Sequence, residues 1–298
     1  MRLQGVVAPT GLRRAGGRAL GALMLAFACA TAQARPALDA GASRITLPLA
    51  DGGAISAHWF ALDGDAPRPA VVALHGCGGL WDGKGHRFEP RYVDYVARLH
   101  AAGFHVLLPD SFSARGERSI CRQKAGARSI TVERRRADVA AAVRWLAAQP
   151  QVDAAHIVVL GWSNGATTAL AAINAARSDA ARPVAAAVVF YPGCRALLQE
   201  QFVLAQPLLM LLGAADDWTP PAHCEALVER LRQRQPQADV TLRVYAGSYH
   251  GFDGTAPVRF RPDVPNGTDP NGVHSGGNPA ARESALAELE NFLQRTRQ

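Results

Sequence analysis

The sequence predicts an α/β fold: a mostly parallel sheet of about eight strands, covered by helices on both faces. Three observations carry this. Short runs at 70–74, 157–160 and 208–212 are apolar along their whole length, as strands buried on both faces must be. Segments with helical spacing of apolar residues lie between them. Finally, Ile157-Val158-Val159-Leu160 runs straight into Gly161-Trp162-Ser163-Asn164-Gly165 and then an Ala-rich stretch, the pattern of a strand turning sharply into a helix.

Two short strands come first, at 44–49 and 54–60, joined through Asp51-Gly52-Gly53, which reads as a hairpin turn at an antiparallel sheet edge. The strand 70–74 follows, then a helix around 92–101, a strand at 104–108 and a helix over about 132–148. Val139, Val143 and Leu146 form the apolar stripe of that helix, and Pro150 stops it. The strand 157–160, the helix after Ser163, and strands at 185–190 and 208–212 come next. A helix over about 221–232 places Cys224, Leu227, Val228 and Leu231 on one face. The strand 240–245 alternates apolar and polar residues, as befits the sheet's margin, and a helix over 279–295 closes the chain. In such a sheet the active site lies beyond the C-terminal ends of the strands. The connections 110–130 and 252–278 exceed ordinary lengths and are placed to rim or cover a pocket. The Gly, Pro and Asn content of the second reads more plainly as disorder.

Residues 1–34 read as a cleavable export signal, with Arg13, Arg14 and Arg18 ahead of or within an apolar run at 19–30 and Ala32-Gln33-Ala34 as a small-residue cleavage site. The apolar run falls well short of the roughly 20 residues that a membrane span needs, so no stable membrane anchor is expected. This gives a signal peptide at 1–34, a single domain at 35–298, and a periplasmic or secreted protein. The net charge of +7 falls to +3 once the four arginines of the leader are removed. The basic character therefore belongs largely to the leader. Without Lys/Arg runs interleaved with aromatics, no nucleic-acid partner is expected.

Four cysteines remain beyond the leader: Cys77, Cys121, Cys194 and Cys224. An even number in an exported chain points to disulfides, with three pairings open. Placement on the predicted fold favours Cys77 with Cys121 and Cys194 with Cys224; buried free thiols are the alternative. No ligand spacing typical of zinc is present, and no metal is expected.

Ser163 sits where a nucleophile is held exposed on a strained turn, with a helix N-terminus behind it. A serine hydroxyl needs a base within hydrogen-bond reach, and that base needs a carboxylate to orient it. Leu211-Leu212-Gly213-Ala214-Ala215-Asp216-Asp217-Trp218-Thr219-Pro220 delivers an acid past one strand, and Tyr249-His250-Gly251-Phe252 a histidine past the next. Asp216 is the expected acid, with Asp217 the alternative; Asp217 and Thr219 are then free to cap the following helix. His75-Gly76-Cys77-Gly78-Gly79 supplies a turn whose amides can bind an oxyanion, and the backbone N–H groups of Cys77 and Asn164 are the candidates. His75 is expected to be structural. Trp81, Trp162 and Trp218 are expected to pack as core or rim, with one of them able to line a substrate pocket.

With these residues in place, the chain resembles the dienelactone hydrolase family of the α/β-hydrolase superfamily over about residues 40–296. The resemblance rests on Leu74-His75-Gly76-Cys77-Gly78-Gly79, Gly161-Trp162-Ser163-Asn164-Gly165, the Gly213 to Pro220 segment and Tyr249-His250-Gly251-Phe252. It implies the α/β-hydrolase fold and hydrolysis of small ester or lactone substrates through an acyl-enzyme, with neither metal nor organic cofactor. One departure is visible: the dienelactone-cleaving members use a cysteine nucleophile and an acidic residue near the oxyanion turn, where this chain has Ser163 and His-Gly-Cys-Gly-Gly. That argues against dienelactone as the substrate. A peptidase or other amide hydrolase with the same triad, and a non-catalytic binding protein on this fold, remain as alternatives.

Overall fold

The computed structural model describes residues 41–177, 180–181 and 183–297. The chain divides into Met1–Arg35 and Pro36–Gln298, and everything described belongs to the second unit. The expected signal peptide at 1–34 lies outside the described residues.

Eight strands form one sheet in the order β1-β2-β4-β3-β5-β6-β7-β8. Strands β1 (Ser43–Pro48) and β2 (Ala54–Phe60) pair antiparallel at one margin, and β2 runs antiparallel to β4 (His105–Asp110). From there the pairing is parallel through β3 (Arg68–Leu74), β5 (Val152–Trp162), β6 (Ala186–Phe190), β7 (Leu208–Gly213) and β8 (Val240–Tyr245). Period-two alternation divides the sheet's side chains between two cores. Val72, Leu74, Val159, Val189, Met210 and Leu212 face one way, toward α2 (Val132–Ala147), α3 (Asn164–Ile173) and α4 (Pro221–Arg234). Val71, Ala73, Leu160, Trp162, Phe190 and Leu211 face the other way, toward α1 (Pro90–Ala101) and α5 (Pro279–Arg295). The central strands are buried on both sides, whereas β8 is partly open to solvent, as its alternating sequence anticipates.

The helices begin where local chemistry directs. Thr131 caps α2 by accepting from Arg134 N, and Asn278 caps α5 by accepting from Ala281 N ahead of Pro279 at the first helical position. Asp217 and Thr219 do not cap α4, contrary to expectation: its N-cap is Pro220, which makes no side-chain cap bond, and both side chains are engaged elsewhere.

The loop 252–278 is also not the disordered segment its composition implied. It carries a two-stranded antiparallel pair, β9 (Arg259–Arg261) and β10 (Val273–Ser275), and buries Phe252, Asp253, Val264 and Val273. Asn266 ties it to the facing loop, accepting from Ala125 N at 2.8 Å and donating to Gln123 O at 2.9 Å. Gly and Pro here serve tight turns under cross-loop hydrogen bonds, an arrangement invisible to composition.

The two glycines of the serine motif act through close approach. A Cβ on Gly165 would lie 2.1 Å from Leu74 O, and one on Gly161 would lie 2.6 Å from the Gly165 carbonyl carbon. The start of α3 is thereby packed against the ends of β3 and β5. Gly165→Ala is expected to destabilise the fold by about 1–3 kcal/mol or more through overpacking against backbone, read from urea unfolding.

Candidate active site

Strand β5 ends at Trp162, and the chain reverses into α3 through Ser163, a non-glycine residue with φ 54° and ψ −119°. This left-handed conformation costs free energy. It is held by Ser163 N donating to Phe190 O at 2.9 Å and by Thr167 N donating back to Ser163 O at 2.9 Å. Ser163 Oγ is aimed at the loop after β8, where it donates to His250 Nε2 at 2.8 Å. His250 Nδ1 donates to Asp216 Oδ2, also at 2.8 Å. All three side chains are nearly buried.

Asp216 is fixed as an acceptor. Its Oδ1 receives the backbone N–H groups of Trp218 at 2.9 Å and Thr219 at 2.8 Å, and Thr219 Oγ1 lies 3.0 Å from its Oδ2. The neighbouring carboxylate faces elsewhere: Asp217 accepts from His274 N at 2.9 Å and from His274 Nδ1 at 2.7 Å, so it seats the 252–278 loop. The His250 ring lies between Tyr191 and Trp218, with centroids 4.6 and 4.5 Å away. Trp218 thus forms the rim; Trp162 is core, and Trp81 stacks on Phe88 away from the cleft.

The turn after β3 abuts the serine. A Cβ on Gly76 would lie 3.4 Å from Trp162 O and 3.5 Å from Ser163 Cβ. Several polar groups of this turn are engaged. Gly76 N donates to Tyr92 Oη at 3.0 Å, His75 O accepts from Arg135 Nη2 at 2.8 Å, and Cys77 O accepts from Ile120 N at 2.8 Å and Ser119 Oγ at 3.2 Å. Cys77 N has no acceptor among the described residues. The N–H of Asn164 opens α3, where the first turn has no intrahelical acceptors. Disulfides join Cys77 to Cys121 and Cys194 to Cys224, the first of them fastening the turn to the loop 110–130.

His75 is fully buried, and burial together with the nearby Arg135 cation holds its pKa down to about 3. It is neutral, with Nδ1 donating to Gly76 O at 2.8 Å and Nε2 accepting from Ser111 N at 3.3 Å. The structural role expected from sequence fits this geometry.

Several residues at the site escaped the sequence reading. Asp253, wholly buried, accepts from Tyr191 Oη at 2.6 Å, Tyr95 Oη at 2.9 Å and Trp162 Nε1 at 3.1 Å, binding the His250 loop to α1, β5 and the residue just past β6. Arg91 donates to Tyr191 Oη and lies 3.4 Å from Asp253 Oδ1. Arg135 joins the turn at His75 to the Asn164 side chain. A signal for it existed: Arg135 precedes Val139, Ala142 and Leu146 at spacings of four, seven and eleven, which puts a cation on the buried stripe of α2. A cleft of about 480 Å³ opens over these groups, lined by the Gly76 to Gly79 turn, Cys121, Trp218, Arg91 and residues of the 252–278 loop. Among the described residues no cluster suited to a metal ion occurs, and no helix is long and apolar enough to cross a membrane.

An eight-stranded, mostly parallel sheet with a serine, a histidine and an aspartate gathered at its C-terminal edge defines an α/β-hydrolase fold. Within that class, the chain belongs to the dienelactone hydrolase family, whose model matches residues 57–297. Similar solved structures agree on the fold. A Klebsiella pneumoniae protein assigned as a dienelactone hydrolase superposes with a TM-score of 0.62 at 17% identity, covering 85% of this chain and 98% of the other. A dienelactone hydrolase-like promiscuous phosphotriesterase from metagenomic libraries gives 0.60 at 19%, covering 86% and 99%. Thermogutta terrifontis esterase 2, phosphoramylated by tabun, gives 0.57 at 18%, covering 86% and 94%. No curated protein matches the chain.

Two consequences are measurable. Unfolding returns His75 to an ordinary pKa of 6.5, so between pH 6.5 and about 3 the unfolded chain binds a proton that the folded one excludes. Stability therefore falls as pH drops through that window, and His75→Gln should flatten this acid limb in urea titrations at pH 7 and pH 4. The Cys77–Cys121 bond closes a separation of 44 residues, and Cys77→Ser/Cys121→Ser should lose about 2–5 kcal/mol of stability by the same method under oxidising conditions.

Proposed function

We propose that this protein is an exported serine hydrolase that cleaves carboxylic esters or lactones through an acyl-enzyme. The observation that carries the reading is the continuous relay from Ser163 Oγ to His250 Nε2 and from His250 Nδ1 to Asp216 Oδ2, each step 2.8 Å, at a serine in a left-handed turn. Ser163 Oγ attacks the substrate carbonyl while His250 Nε2 takes its proton. Asp216, fixed by two backbone donors, holds the imidazole with Nδ1–H toward the acid and stabilises the imidazolium that forms. The amides of Cys77 and Asn164 take the negative charge of the tetrahedral intermediate. His250 then protonates the leaving alkoxide, and a water activated by the same nitrogen releases the acid.

Export is supported by the leader-like residues 1–34 and by two disulfides, which persist in oxidising compartments. The domain assignment proposed is a signal peptide at 1–34 followed by one catalytic domain at 35–298. Esters and lactones are preferred over amides on family membership.

A fluorophosphonate probe should label the mature protein at Ser163 alone, read by intact mass and peptide mapping. Ser163→Ala and His250→Ala should lower kcat on p-nitrophenyl esters on the order of 10⁴-fold or more while thermal unfolding stays near that of the parent. Retained turnover in pure Ser163→Ala would refute the mechanism, and faster cleavage of matched anilides than esters would transfer it to amide hydrolysis.

A further inference from the structure

Arg135 is an unusual residue to find beneath this cleft. It lies in the first turn of α2, is 1% exposed, and spends its hydrogen bonds on two uncharged oxygens: Nη1 to Asn164 Oδ1 at 2.6 Å and Nη2 to His75 O at 2.8 Å. Its Nε has no partner. Asp138, one helical turn along, does not neutralise it by contact, because Arg115 holds both Asp138 oxygens at 2.7 and 2.8 Å. Asp138 and Asp110 favour the charge only through space, so its direct partners are neutral dipoles; burying a cation in that way is costly, and scaffolding that joined two oxygens would not require the charge. The two oxygens belong to the two segments that carry the Cys77 and Asn164 amides. The guanidinium is seated over the Phe112 ring at 5.2 Å, and the same ring meets His75 edge-on at 4.5 Å.

We propose that Arg135 is the positioning residue of the oxyanion site: its planar fork sets the spacing between the turn at Cys77 and the serine elbow, and its charge adds to the field at the forming oxyanion. This rests on the serine-hydrolase reading above. A single rigid group bridging both segments fixes the two donors relative to each other before substrate arrives, which is where electrostatic stabilisation of a transition state gains most. Burial lowers the Arg135 pKa only to about 10, so the cation persists at neutral pH. The adjoining His75 is neutral and leaves Arg135 as the cation touching the turn. Lysine cannot replace it, since a point charge on a flexible stem reaches one oxygen and lacks the plane that rests on Phe112.

The test compares Arg135→Met, Arg135→Lys and Asn164→Ala, the last of which keeps the backbone N–H and removes the side-chain amide whose oxygen Arg135 grips. Each is assayed for kcat and KM on one p-nitrophenyl ester, for affinity toward an alkylboronic acid that forms a tetrahedral adduct on Ser163, and for affinity toward the matching unreactive ether. Arg135→Met should lose about 100-fold in kcat and a similar factor in boronate affinity, with KM and ether affinity within about 3-fold. Arg135→Lys should recover thermal stability but only part of kcat. Asn164→Ala should lose about 10-fold, and the double variant with Arg135→Met should lose less than the product. Parental kcat and boronate affinity in a folded variant would overturn the proposal, as would equal weakening of boronate and ether. If Arg135→Met does not fold, Arg135→Lys and Asn164→Ala carry the same comparison. Ser163→Ala runs in parallel: turnover that survives there overturns the hydrolase reading itself, a different result from any loss confined to Arg135.

Discussion

Ser163 occupies a backbone conformation that L-residues avoid, and much of the molecule is arranged to keep it there. Only two non-glycine residues among those described have positive φ, Ser163 and Tyr191, and they stand at the ends of the adjacent strands β5 and β6. Each such turn costs about 1–3 kcal/mol, a cost the sheet can carry because its central strands are buried on both faces. Two glycines let α3 approach the end of β3 closely enough to enforce the turn at Ser163. Tyr191 is held by its N–H on Leu211 O and by its hydroxyl on Asp253. Strain at the first turn presents a hydroxyl, and strain at the second lays a ring against the histidine to which that hydroxyl is hydrogen-bonded.

The supports differ in kind on the two sides of the cleft. The turn after β3 is fastened covalently by Cys77–Cys121 and by hydrogen bonds with Tyr92, Arg135 and Ile120. The histidine loop is fastened by Asp253, a buried carboxylate that gathers donors from α1, β5 and the residue just past β6. Both rest on groups far apart in sequence, 44 residues for the disulfide and 158 for Tyr95 with Asp253. The site is therefore a property of the folded sheet, and no short segment contains it.

That distribution accounts for what the sequence disclosed and what it did not. Strand and helix order was legible because apolar runs and helical spacing are local: the predicted helix 279–295 and strands 54–60 and 240–245 coincide with α5, β2 and β8. Ser163, Asp216 and His250 could be named because each follows a strand in the order that the fold requires, and their side chains do converge. Their supports were hidden. Asp253 reads as a loop acid and Tyr191 as a residue beyond a strand, since a hydrogen bond across 62 residues leaves no local pattern. The loop 252–278 was misread for the same reason: its glycines and prolines have the composition of disorder, and its order comes from Asn266, Asp217 and buried Phe252, whose partners lie elsewhere.

Asp216 and Asp217 are consecutive, yet one holds His250 beside Ser163 and the other seats His274 in the 252–278 loop. One peptide unit thus carries both the acid of the relay and the hinge-pin of that loop. Transplanting a relative's 252–278 segment to alter selectivity would therefore be no modular exchange: without a group placed like His274, Asp217 would be left to find another partner one bond from the acid that steadies His250. Remodelling this loop therefore bears on residue 217 as well, one peptide bond from Asp216.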